Sequence, residues 1–189
     1  MNRIDQVMQL QRASGKKGMI AYITAGDPDL DTTERLVLDM TSYGVSMIEL
    51  GVPFSDPVAD GPIIQAASKR ALEHEVSLLD ALKMAKKLRI KTEIPLLIMT
   101  YYNPIYALGI NRFVQEAYAS GIDGIVVPDL PLEESDQLAS NLRKQGIHFI
   151  YLLSPTSTAD RINATIDKAS GFIYCIAVAG VTGSRDALP

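Results

Sequence analysis

The sequence predicts an α/β protein, a (β/α) barrel, and three features point that way. Apolar strand-like runs recur about every 25 residues with a helical segment between them, the alternation that builds a parallel sheet with right-handed crossovers. Every strand runs into a polar or Gly/Pro-rich turn, and no first turn carries a G-x-G-x-x-G or P-loop fingerprint. A site shared among many strand ends belongs to a barrel more than to an open dinucleotide-binding sheet. The third feature is an acid, Glu49, inside the apolar run Met47-Ile48-Glu49-Leu50, where strands of parallel sheets normally read as near-continuous Val/Ile/Leu. Six βα units are legible, whereas a closed barrel takes eight and roughly 250 residues. The alternatives are an open six-stranded sheet or a barrel truncated after about six units. On the barrel reading, residues 1–189 are one domain, incomplete at its C-terminus.

The elements follow in order. Residues 2–12 place Ile4, Val7, Met8 and Gln11 at helical spacing. Residues 18–24 form the first strand and end in Ala25-Gly26-Asp27-Pro28. A helix begins near Asp31, and Gly44 punctuates its end. The second strand is 45–50. After a loop rich in Gly, Pro and acid, Pro62 marks a helix with Ile63, Ile64, Ala67 and Ala71 on one side. Ser77 with Asp80 three residues on resembles a capping box for the next helix, whose apolar face is Leu79, Leu82 and Leu88. The third strand, 95–100, runs into Tyr101-Tyr102-Asn103-Pro104, and Asn111 is expected to cap a helix that stops at Gly121. The fourth strand is 124–128, with a helix after Pro131 closing at Gly146. The fifth is 148–153, followed by a helix capped by Thr158 that carries Ile162 and Ile166. The sixth is 172–177, leading into Gly180-Val-Thr-Gly183.

Composition narrows the function. The chain has 189 residues, 47% of them hydrophobic and 21% charged, with a net charge of −4; that suits a globular domain and leaves no basic footprint for nucleic acid. No run approaches membrane-spanning length, and the N-terminus lacks the apolar core of a signal peptide. A cytoplasmic metabolic protein is expected. Cys175, the one cysteine, is expected to be a buried small hydrophobe.

Chemistry concentrates between Glu49 and Pro62. An ionised carboxylate in an apolar site must be paired or take up a proton. Asp60, eleven residues further on, supplies a second carboxylate that the same loop can fold back beside the first. Together they read as an acid–base pair at the mouth of the barrel.

The run Glu49-Leu-Gly-Val-Pro-Phe-Ser-Asp-Pro-Val-Ala-Asp-Gly-Pro62 resembles the signature of the tryptophan synthase alpha chain. Thr24-Ala-Gly-Asp-Pro28, Met99-Thr-Tyr-Tyr-Asn-Pro104, Val127-Pro-Asp-Leu-Pro-Leu-Glu-Glu134 and Gly180-Val-Thr-Gly183 support it. The resemblance implies a (β/α)8 TIM barrel that cleaves indole-3-glycerol phosphate to indole and glyceraldehyde 3-phosphate. It implies no cofactor in this chain and a partner beta chain holding pyridoxal phosphate, in an alpha2beta2 heterotetramer. It also implies the site. Glu49 would be proton donor and relay, and Asp60 would accept the indole N–H. Tyr22, Ile64, Tyr101, Leu152 and Tyr174 would line the indole slot. Thr182 would reach Asp60, and Gly183 would offer its backbone N–H to phosphate. Pro53, Asp56 and Pro57 would face the beta chain. Ala177 stands where the family usually has Ser, and no residues correspond to its phosphate-binding turns after strands seven and eight.

Three other readings compete. A Schiff-base aldolase needs a lysine at a strand's C-terminal end, and none of the lysines stands there. A Mg²⁺-dependent lyase would use Glu49, Asp56 and Asp60 as oxygen ligands. The third is a catalytically weak fragment that only binds and activates a beta chain.

Overall fold

The computed structural model describes residues 1–177 of the chain. Six strands, β1 (Ile20–Thr24), β2 (Met47–Gly51), β3 (Leu96–Met99), β4 (Gly124–Val126), β5 (His148–Leu153) and β6 (Ile173–Cys175), lie side by side in sequence order. Each neighbouring pair is parallel. Helix α1 (Arg3–Ser14) precedes them, and α2 (Leu30–Ser42), α3 (Pro62–Glu73), α4 (Leu78–Arg89), α5 (Tyr102–Leu108), α6 (Ile110–Ala119), α7 (Asp136–Lys144) and α8 (Ala159–Lys168) fill the crossovers. Sequential parallel strands with helical crossovers are consecutive staves of a TIM barrel, here a half-barrel in the described residues.

Apolar side chains occupy both faces of the strands and form two compartments. The larger lies between sheet and outer helices, where Ile48, Leu50, Leu96, Ile98 and Ile125 meet Val37, Leu82, Leu88, Phe113 and Leu142. The smaller is the barrel interior, where Met47, Leu97, Val126 and Ile150 surround Ile4 of α1. Ile4 is fully buried, and a Cβ on Gly124 would come within 2.9 Å of its Cδ1. The amide of Asn2 donates to the carbonyls of Asp123 and Gly146, both at 2.8 Å, just ahead of β4 and β5. Helix α1 thus plugs the N-terminal end of the barrel and leaves the carboxyl rim to the loops.

A buried polar cluster holds the same end. Asp123, 3% exposed, accepts from Arg89 at 2.9 Å, from the Leu96 amide at 2.9 Å and from Arg3 at 3.2 Å. Arg89 also donates to the carbonyls of Thr92, Ile94 and Gly121. Such a carboxylate survives burial because cations and an amide satisfy its lone pairs.

Several expectations change. Residues 102–108 form a helix of their own: Pro104 falls in its first turn, where a missing N–H costs nothing, and Gly109 at φ +88° separates it from α6. Asn111 therefore lies inside α6 and accepts from the Asn141 amide instead of capping. Ile162 and Ile166 are exposed, and Thr165 is the buried residue of α8. Cys175 is exposed as well, because β6 has only β5 as a described neighbour. The capping box at Ser77 and Asp80 forms in full.

Candidate active site

Glu49 is the third residue of β2, two places above the interior residue Met47. Parallel register sets Tyr22 of β1 on one side of it and Leu97 of β3 on the other, so the three form one layer facing the interior. The Glu49 side chain is 4% exposed, and its Oε1 is buried with no hydrogen-bond partner. Burial drives its pKa up to about 7. A carboxyl of that kind can both give and take a proton near neutrality.

Asp60 comes from the loop between β2 and α3, and that loop is tied down at several points. The Ala59 amide donates to the Tyr101 hydroxyl at 3.1 Å, and the Phe54 ring packs on Tyr101 with centroids 5.2 Å apart. The Gln65 amide donates to the Asp60 carbonyl at 2.8 Å. Arg70 grips Asp27 with two hydrogen bonds, at 2.7 and 2.8 Å, which pins α3 to the loop after β1. Asp60 is consequently buried at 8% exposure. Burial raises its pKa, while the Tyr101 hydroxyl beside it acts the other way.

The phenols complete the site. Burial pushes Tyr22 up to about 12; the Thr24 hydroxyl, 3.5 Å away, opposes that, and the charges of Asp60 and Glu49 add to it. Burial and the charge of Glu49 also raise Tyr174. The charges of both acids act on Tyr22, that of Asp60 also on Tyr101 and that of Glu49 also on Tyr174. Tyr174 is 37% exposed, so it is not the packed core aromatic that its apolar strand would equally suit.

Other predicted residues fall nearby or elsewhere. Leu152 packs on the interior cluster below the rim, and Ile64 sits half-buried in the first turns of α3. Pro53 is buried, whereas Asp56 is exposed and accepts from Ser55. Pro57, with Phe54, Pro62 and Lys69, lines an outward-facing groove of about 660 Å³. Thr182 and Gly183 lie outside the described residues. Among the described residues no three His, Cys, Asp or Glu side chains group so as to hold a metal, which removes the Glu49–Asp56–Asp60 magnesium set. Two contributors were not singled out from sequence, Thr24 and Gly51. A Cβ on Gly51 would collide with the Tyr22 hydroxyl, so the phenol lies where only glycine permits it.

Comparison with known proteins gives the family. Residues 8–189 match the sequence model of the family described as "Tryptophan synthase alpha chain". The chain is 47% identical over 188 residues to the tryptophan synthase alpha chain of Geotalea daltonii, covering 100% of this chain and 71% of the relative. The crystal structure of tryptophan synthase subunit alpha from Legionella pneumophila superposes with a TM-score of 0.90 at 42% identity, over 93% of this chain and 68% of that one. A chain from the tryptophan synthase α2β2 complex of Pyrococcus furiosus superposes with a TM-score of 0.80 at 41% identity, over 84% of this chain and 67% of that one.

Proposed function

The chain belongs to the tryptophan synthase alpha chain family, and from that premise we propose that Glu49 and Asp60 are the acid–base pair with which it performs the family's reaction. That reaction is the retro-aldol cleavage of indole-3-glycerol phosphate to indole and glyceraldehyde 3-phosphate, a step of tryptophan biosynthesis. The bond to break joins indole C3 to the glycerol side chain. A proton added at C3 makes the ring an iminium-like leaving group, and the side-chain hydroxyl must lose its proton as it becomes the aldehyde. Glu49 gives the first proton and takes the second, so one residue serves as donor and then as relay. Asp60 accepts the indole N–H and steadies the positive charge growing on the ring. Each such contribution is typically worth about 10²–10⁴ in rate.

The observation that carries this reading is the buried, unpaired Oε1 of Glu49, with its carboxyl raised to about 7, facing two phenols at the barrel rim. Tyr22, Tyr101 and Tyr174 supply flat walls for a bicyclic ring, with Ile64 and Leu152 as apolar floor and flank. Thr182, reaching Asp60, and Gly183, offering an amide to phosphate, belong to the proposal through the Gly180-Val-Thr-Gly183 motif.

The family's alpha chain carries no cofactor; pyridoxal phosphate resides in the beta chain, its partner in an alpha2beta2 assembly. Asp56 and Pro57 are proposed to meet that partner, whereas Pro53, also expected there, is buried within this chain. Asp56 projects from the same loop that places Asp60, so contact at one end of the loop bears on the site at the other. Residues 1–189 are proposed to belong to one (β/α) barrel domain that is incomplete at its C-terminus. No described helix is long and apolar enough to cross a membrane. A cytoplasmic setting is part of the proposal, supported by the unpaired, exposed Cys175, which suits a reducing compartment.

The test is indole release from indole-3-glycerol phosphate by the chain paired with its beta chain. Glu49→Gln is expected to abolish turnover, and Asp60→Asn to lower it by about 10² or more, with partner binding intact in both. Near-normal turnover in Glu49→Gln would remove the mechanism.

A further inference from the structure

Asp60 sits on a loop whose fastening runs across the ends of three strands. The amide of Ala59, its neighbour in the chain, donates to the Tyr101 hydroxyl at 3.1 Å, and the Phe54 ring packs on the same tyrosine. On the other side the Gln65 side-chain amide holds the Asp60 carbonyl. The loop is therefore placed only as well as Tyr101 is.

Tyr101 is buried, at 4% exposure, and stands at the N-cap position of α5 in extended backbone, where its side chain makes no capping hydrogen bond. That position normally carries Ser, Thr, Asp or Asn, whose side-chain oxygen accepts from an orphan amide of the first turn. A tyrosine whose hydroxyl serves the neighbouring loop leaves those amides to other partners. Pro104 removes one orphan, having no N–H. The Tyr102 amide, first in the helix, is taken instead by the carboxylate of Asp129, 27 residues on, at 2.9 Å. Strand pairing delivers that acid. The Thr100 amide donates to the Val126 carbonyl at 3.1 Å and sets the ends of β3 and β4 side by side. The Leu130 amide then donates to the Val127 carbonyl, closing a turn with Pro128 and Asp129 at its centre, and Pro suits the first of those two places. A carboxylate is the strongest acceptor available for the task, since its charge assists the bond and suits the start of a helix.

We propose that Asp129 is a positioning residue: by capping the Tyr102 amide it fixes Tyr101, and through the Tyr101 hydroxyl on the Ala59 amide it holds Asp60 at the depth where that acid meets substrate. The turn after β4 thus braces the loop after β2 by way of the end of β3. This rests on reading Asp60 as a reacting acid.

Asp129→Ala removes the acceptor, and because the side chain is exposed its truncation empties no core. Asp129→Asn keeps an acceptor oxygen. Hydrogen exchange of the Ala59 amide, followed by ¹⁵N NMR on the 189-residue chain, reads the brace without turnover. Its protection should fall about fivefold or more in Asp129→Ala, the equilibrium equivalent of a lost helix cap. It should fall as far in Tyr101→Phe and be largely kept in Asp129→Asn. With the beta chain present and indole-3-glycerol phosphate as substrate, Asp129→Ala should lower kcat about tenfold while KM changes less than about threefold, as a misplaced reacting group would. In an Asp60→Asn background the same substitution should cost less than about twofold, because the group it positions is already gone. An Ala59 amide equally protected in Asp129→Ala overturns the proposal, as does an unchanged kcat. An equal loss of kcat in both backgrounds overturns it too, since that is the mark of an acid that merely stabilises the fold. Normal turnover in Asp60→Asn alone would instead remove Asp60 from the reaction, and the Ala59 amide would still decide whether Asp129 braces its loop.

Discussion

Replacing Glu49 by Gln should stabilise the protein and should do so only above acid pH. The side chain keeps its size and loses its charge. In the unfolded chain the carboxyl titrates at its ordinary value of 4.5, and in the folded protein burial raises it to about 7. Below 4.5 both states are protonated and the group contributes nothing that depends on pH. Between the two values the folded protein keeps a proton that the unfolded chain has released, so stability falls as pH rises. Above about 7 both states are ionised and the whole cost is present. At about 1.4 kcal/mol per unit, a gap of about 2.5 units corresponds to roughly 3 kcal/mol, a large share of the 5–15 kcal/mol that typically separates folded from unfolded.

Glutamine carries no such burden. Urea unfolding of wild type and Glu49→Gln, followed by far-UV circular dichroism at pH 4, 6 and 8, should show the variant's advantage growing by about 3 kcal/mol from pH 4 to pH 8. A stability difference constant across those three pH values would refute the reasoning, since it would mean that Glu49 titrates alike in both states. The same substitution that removes the catalytic proton would thus relieve the strain of storing it, a trade between stability and activity seen where function requires an uncomfortable group.

Two further substitutions probe the frame around the site. Asp123→Ala leaves Arg89 buried without its counter-charge at the N-terminal end of the barrel; removing one partner of a buried pair costs about 3–5 kcal/mol, to be read as a lowered urea midpoint at neutral pH. Gly51→Ala drives a methyl into the Tyr22 hydroxyl; turnover should drop at least tenfold for a stability loss of only about 1–3 kcal/mol, and unchanged turnover would show that the phenol has room to move.

The parts of this molecule legible in the sequence are those where a local rule is obeyed or openly broken. Strands β1 to β6 show because their residues are apolar on both faces, and Ser77 and Asp80 show because the capping box is a three-residue signal. Glu49 stands out for the opposite reason, as an acid in a strand that should have none. Asp60 is visible through the match of its loop to a known signature. Helix α5 was hidden because Asn103-Pro104 is also a turn sequence, and only the tertiary context distinguishes Pro in a first turn from Pro in a loop. The apolar spacing of Ile162 and Ile166 was a true helical signal that named the wrong face, since spacing gives a stripe and not what lies against it.

What stayed illegible depends on register and on distance along the chain. Asp123 meets Arg89 across 34 residues and Arg3 across 120, and no window of sequence contains such a pair. The seating of Tyr22 over Gly51 requires that β1 and β2 pair with Tyr22 opposite Glu49, and a slip by one residue would turn the phenol out of the interior. Residues 49 and 60 announce themselves by type, but the difference between them, one bare and one beside the Tyr101 hydroxyl, comes from residues distant in sequence.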